Sequence, residues 1–161
     1  MFDKSGTASA TITNHMMEMW ELDEIQLQEI ALSNLKKGNM MKADIRNMFD
    51  ILKEMVINED EELTIPDGDD SMYVLSNESK CYGATVALNK KILKKIHDRI
   101  GAFVMIPSSV HEWIIVKYQD SSQMDAISQM IKDVNASTVD QNEWLSDHPY
   151  IFKDGEVQQY E

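Results

Sequence analysis

A chain of 161 residues with 43% hydrophobic content carries enough apolar material for one ordinary globular core. Its 28 acidic residues against 15 Lys and Arg leave a formal charge of −13, which opposes phosphate backbones and speaks against direct nucleic-acid binding. Cys81 stands alone, so an internal disulfide and a multi-thiolate zinc site are excluded.

In chain order, residues 7–13 are rich in β-branched side chains and predict a short strand, after which Asn14 caps a brief helical turn through Met19 and Trp20. The next helix is punctuated at both ends. Asp23 can accept from the freed amides of its first turn while Gln26 reaches back, Leu27, Ile30, Ala31 and Leu35 share a face, and Gly38 stops it. Ile45, Met48, Phe49, Leu52 and Val56 recur at helical spacing and predict an amphipathic helix, with Lys42 and Asp44 near its start. An acidic loop follows, carrying Glu59, Asp60, Glu61 and Glu62, then Asp67, Asp69 and Asp70 around Gly68.

The second half opens on a predicted hairpin between residues 72–75 and 81–88, joined through Asn77, Glu78, Ser79 and Lys80. Asn89 caps a basic helix that turns Ile92, Leu93, Ile96 and Ile100 inward and ends at Gly101. Lys90, Lys91, Lys94, Lys95 and Arg99 make this the one basic stretch, expected as a solvated helix face. Strands over residues 102–106 and 113–118 flank a turn at Pro107, Ser108 and Ser109. Ser122 with Asp125 reads as a capping box for a helix that packs Met124, Ile127, Ile131 and Val134 inward. A terminal hairpin turns at Asp154 and Gly155, since glycine takes the positive φ that a two-residue turn demands.

Short turns between neighbouring strands, without strict alternation of strand and helix, predict an α+β fold. The expected form is an antiparallel or mixed sheet with about four helices packed mainly on one face, in a single domain over residues 1–161. No run approaches the roughly 20 apolar residues of a membrane-spanning helix, and the first residues lack the character of a signal peptide. A cytoplasmic location without membrane association is expected.

Chemistry concentrates at one place, where Ser108, Ser109, His111 and Glu112 crowd the mouth of a buried strand. Ser109, His111 and Glu112 are the weak catalytic candidates, for a hydrolase centred on Ser109 and His111. In an extended segment Ser109 and His111 share a face while Ser108 and Glu112 take the other, which separates the imidazole from its nearest carboxylate. No glycine flanks the serine to form a nucleophile turn. The favoured reading has the serines satisfying turn amides and His111 hydrogen-bonded at a strand end. No metal site is assigned: His15, His97, His111 and His148 form no close pair, although folding can bring His111 toward Asp147 and His148. Asp67, Asp69 and Asp70 lack the ligand alternation of a calcium loop, and no phosphate-binding motif or cofactor signature is present.

Ala8-Ser9, Thr13-Asn14, Trp20, residues 73–77, Gly83-Ala84, residues 107–109, His111-Glu112, Val134-Asn135 and Leu145-Ser146-Asp147 together resemble a domain-of-unknown-function family found mainly in clostridial gut bacteria and their mobile elements. The resemblance implies a longer architecture of which this chain corresponds to the C-terminal portion, and no established activity. The mobile-element setting it implies, joined to the negative charge, predicts a non-enzymatic acidic interaction protein. Its sharper form is an accessory or anti-defence factor whose carboxylates at Glu59, Asp60, Glu61, Glu62, Asp67, Asp69 and Asp70 enter the basic cleft of a nucleic-acid-binding host protein. The competing readings are the hydrolase and a regulatory domain acting beside a separate N-terminal half.

Overall fold

A computed structural model describes residues 10–37, 43–48, 50–51 and 72–161. It divides into two compact units, Met1–Gly38 and Asn39–Glu161. In the first, helix α1 (Asn14–Met19) and helix α2 (Glu24–Lys37) follow one another. Residues 10–13 form no strand, and the cap of α1 is Thr13 rather than Asn14, its hydroxyl accepting from the Met16 N–H at 3.3 Å. The predicted reciprocal cap of α2 is present: the Asp23 carboxylate accepts from the Gln26 N–H at 2.7 Å and the Gln26 side chain accepts from the Asp23 N–H at 2.9 Å.

The second unit is built on six strands: β1 (Ala43–Asn47), β2 (Met72–Asn77), β3 (Phe103–Ser109), β4 (Glu112–Lys117), β5 (Tyr150–Lys153) and β6 (Glu156–Gln159). Their order across the sheet is β1-β2-β4-β3-β5-β6, every pair antiparallel, which gives the α+β class expected from the sequence. Two long helices of the described residues pack on this sheet, α3 (Lys90–Ile100) and α4 (Ser122–Ser137). They lie on opposite faces. Phe103 and Met105 of β3 join Leu75, Trp113, Ile115 and Phe152 under Leu93 and Ile96 of α3, whereas Val104 and Ile106 pack with Met124 and Ile131 of α4. The expectation of helices mainly on one face is thereby corrected for these two. The alternation of side chains along β3 is the cause: both faces are apolar, so both need a cover.

Four further expectations are revised. Ile45 belongs to β1, paired with Leu75, and not to a helix; helical residues begin at Met48, while Phe49, Leu52 and Val56 lie outside the described residues. Helical spacing and strand alternation coincide over so short a run, and pairing with β2 decides. Residues 81–88 do not pair with β2, whose two edges are already taken by β1 and β4. Gly83–Leu88 instead winds as a 3-10 helix, with Ala84 and Val86 buried against the α3 face. The β3–β4 turn is not at Pro107, which pairs with Trp113; Ser109 pairs with Glu112, and Val110 and His111 make the turn. A proline is tolerated within the strand because β5 pairs only as far as Met105, leaving no neighbour that needs its missing N–H.

The α4 cap is the fourth revision. Asp120, not Ser122, supplies it, accepting from the Ser122 N–H at 2.8 Å and from its hydroxyl, while Asp125 accepts from the Tyr160 hydroxyl at 2.9 Å. On the same helix Val134 is exposed and Asn135 is buried in its place. The predicted Asp154–Gly155 turn between β5 and β6 is present, with φ of 54° and 84°.

Candidate functional site

The turn between β3 and β4 is fully partnered. The Val110 N–H donates to the Glu143 carbonyl at 2.9 Å, and the Val110 carbonyl accepts from the Ala84 N–H at 3.2 Å. The His111 N–H donates to Ser109 Oγ at 3.1 Å, and the His111 carbonyl accepts from the Ser76 hydroxyl at 2.7 Å. Half-buried main chain leaves no donor or acceptor unmet here, as the cost of desolvation requires.

The imidazole faces the segment after β2. Its Nδ1 accepts from the Tyr82 N–H at 3.0 Å, so in the neutral ring the proton sits on Nε2, 3.6 Å from Glu143 Oε1. The Tyr82 ring tilts against it with centroids 5.4 Å apart. Tyr82 and Lys80 both hold left-handed backbone, with φ of 49° and 57°, a region that costs a non-glycine residue roughly 1–2 kcal/mol. Asn77 fixes the stretch between them: its amide donates to the Cys81 carbonyl at 2.8 Å, and its carbonyl oxygen accepts from the Cys81 N–H at 3.2 Å and the Ser79 hydroxyl at 3.0 Å. Lys80 also reaches Asp44 on β1 at 3.1 Å.

Gly83 makes this closure possible. A Cβ there would press on Ser76 Oγ and lie 2.5 Å from the His111 carbonyl oxygen and 2.7 Å from the Asn77 amide nitrogen. Below it, Trp113 Nε1 donates to the Ala84 carbonyl at 2.9 Å and ties the 3-10 helix to β4.

The sequence candidates therefore occupy one small region with distinct tasks. Ser109 receives the His111 main chain, the His111 ring receives Tyr82, and Glu112 accepts from Ser108 at 3.3 Å. None of these bonds links the Ser109 hydroxyl to the imidazole. What the arrangement does physically is hold a strained, exposed segment, with Cys81 and Tyr82 facing solvent, against the end of the sheet. Ser76, Tyr82, Gly83 and Glu143 are the participants that reading the sequence missed, because their partners are distant along the chain, whereas Asn77 acts locally, on Ser79 and Cys81.

Asp147 and His148 are held elsewhere. Asn135 of α4 donates to the Ser146 carbonyl at 3.1 Å and to Asp147 Oδ1 at 2.6 Å, and Ser146 Oγ accepts from the His148 N–H at 3.1 Å while meeting the Tyr150 hydroxyl at 3.0 Å. Among the described residues no three His, Cys, Asp or Glu side chains are placed to hold a metal ion. His15 faces Glu18 at 3.8 Å, and the His97 ring packs edge-on to Phe152. The acidic candidates Glu59, Asp60, Glu61, Glu62, Asp67, Asp69 and Asp70 lie outside the described residues.

Many of the short matches that carry the sequence resemblance meet at these two places. Residues 76–77, 83–84, 108–109 and 111–112 converge on the β3–β4 turn, and Asn135 with Ser146 and Asp147 makes the second knot. Comparison with known families gives a match over residues 2–154 to a model described as a family of unknown function, DUF5688. Neither a curated protein nor a solved structure matches the chain.

Proposed function

The chain belongs to the DUF5688 family of unknown function, and because that membership supplies no activity, we propose from its own residues that it is a non-enzymatic acidic interaction protein. The carrying observation is the formal charge of −13 on 161 residues. Charge of that size steers association with a basic surface and suppresses encounters with phosphate polymers. Ser109 and the His111 ring at the β3–β4 turn support the same reading, since each accepts from a main-chain N–H, while Glu112 is engaged by the Ser108 hydroxyl.

In its sharper form the partner is a nucleic-acid-binding host protein, and the chain is a mobile-element accessory factor acting against host defence in the cytoplasm. Arginine and lysine side chains built to receive phosphates accept carboxylates by the same charge-assisted bonds. Glu59, Asp60, Glu61, Glu62, Asp67, Asp69 and Asp70 are the contact carboxylates of this proposal, on sequence grounds. A pulldown from a clostridial lysate followed by binding kinetics tests it. Neutralising Glu59, Glu61, Asp67 and Asp69 together is expected to lower the association rate and flatten its salt dependence while leaving the melting temperature in place. An association rate unchanged at every salt concentration would remove these residues from the interface.

A further inference from the structure

The helix α3 breaks the charge pattern of the molecule in a way that its packing does not require. Its inward face, Leu93 and Ile96 with Ile92 and Ile100 beside them, is satisfied by the sheet. On the outer side, positions four apart stack in rows: Lys90 and Lys94 in one, Lys91 and Lys95 in the next, all exposed, with Arg99 continuing the second row while its guanidinium lies over the Tyr73 ring, 6.0 Å from the centroid. Among the described residues none of the four lysines is ion-paired. Asp98, three and four residues from Lys95 and Lys94, is paired with neither.

Two terms oppose this arrangement. Like charges four residues apart repel along a helix, and the first turn, at the positive end of the helix dipole, holds Lys90 and Lys91 with no acidic residue. A chain with 28 carboxylates has had ample means to neutralise such a face. The positive field is therefore local. Salt screens beyond about 8 Å at physiological ionic strength, and the lysine and arginine rows run roughly 14 Å along the axis at 1.5 Å per residue.

We propose that the outer face of α3 is a docking surface for a short carboxylate-rich protein segment. Charge complementarity selects an anionic partner, and the limited extent of the field selects a short one: a duplex would extend past the helix onto a molecule whose remaining charge repels it. Leu88, 61% exposed at the end of the 3-10 helix and separated from α3 by its cap Asn89, offers an apolar contact at one end. This surface is opposite in sign to the one proposed above and independent of it.

The test uses the full chain and a fluorescent oligoglutamate peptide, followed by anisotropy at low and physiological salt. The parent is expected to bind at physiological salt, where the charge of the rest of the molecule is screened, and a triple variant carrying Lys91→Gln, Lys94→Gln and Lys95→Gln to bind about tenfold more weakly, equivalent to about 1.4 kcal/mol. The corresponding triple Lys→Arg variant should retain binding, as should a Lys132→Gln and Lys153→Gln control on other elements. Failure of the parent to bind, equal binding by the Lys→Gln variant, loss in the Lys→Arg variant, or tighter binding to duplex DNA than to the peptide would each overturn the proposal.

Discussion

At the residue scale, Gly83 and His111 define the end of the sheet from opposite sides. Since two of the three groups facing a Cβ at Gly83 are main-chain atoms, Gly83→Ala is expected to destabilise the fold by about 1–3 kcal/mol, the range for overpacking; a denaturation midpoint equal to that of the parent would show that the 3-10 helix can withdraw. His111→Ala removes the acceptor of the Tyr82 N–H and is expected to cost about 1 kcal/mol, because that amide is exposed enough for water to take over. Hydrolysis of ester or amide substrates that disappears in both Ser109→Ala and His111→Ala, with folding intact, would replace the interaction reading with a hydrolase. The cluster itself was legible from the sequence because a histidine and two hydroxyls at a strand mouth are conspicuous. Its partners were not, since Ser76 and Tyr82 stand 35 and 29 residues from His111 and no local pattern announces a bond across that distance.

Elements show where local rules hold and where a neighbour outcompetes them. The Asp23 and Gln26 cap and the Asn89 cap form as their sequences predict because their partners are within three residues. The Ser122 and Asp125 box does not, since Asp120 reaches the Ser122 amide and Tyr160 captures Asp125. The hydrogen bonds from Ser122 hold the Asp120 carboxyl below its ordinary value of 3.8. Its contribution to stability is thus complete above that value and is lost as pH falls through the lowered one. Asp120→Ala should melt below the parent at neutral pH, and the gap should close in acid. For Tyr160, the bond to Asp125 raises the phenol above 10.0, so its contribution is present below that pH and lost as alkali takes it through the raised value; Tyr160→Phe should converge with the parent at high pH in the same melting experiment. Within α4, Ile131→Ala is expected to cost about 2–5 kcal/mol and Val134→Ala about 0.5 kcal/mol or less, measured by denaturant unfolding, in keeping with burial of the first and exposure of the second.

For the whole molecule, net charge makes a prediction that the fold does not alter: the purified protein should leave duplex and single-stranded DNA unretained at moderate salt. Micromolar retention that falls steeply with salt and vanishes on neutralising Lys90, Lys94 and Lys95 would mean that α3 governs binding to nucleic acid. The α+β class was readable from short turns between apolar runs, but the sheet order was not, because β2 pairs with β1 and β4 rather than with the segment after it. That order bears on how the chain reaches its native state. The β3–β4 and β5–β6 hairpins close over a few residues, whereas β2 must find β4 across the whole stretch from Leu75 to Trp113. Loop-closure entropy delays such distant pairings, so β2 should dock on a hairpin already formed. Truncating Ile115 in β4 should then slow refolding, while truncating Phe152 in β5, which is buried against Phe103 far back in the chain, should chiefly hasten unfolding, and a chevron plot with the two effects reversed would place the rate-limiting nucleus at the other side of the sheet.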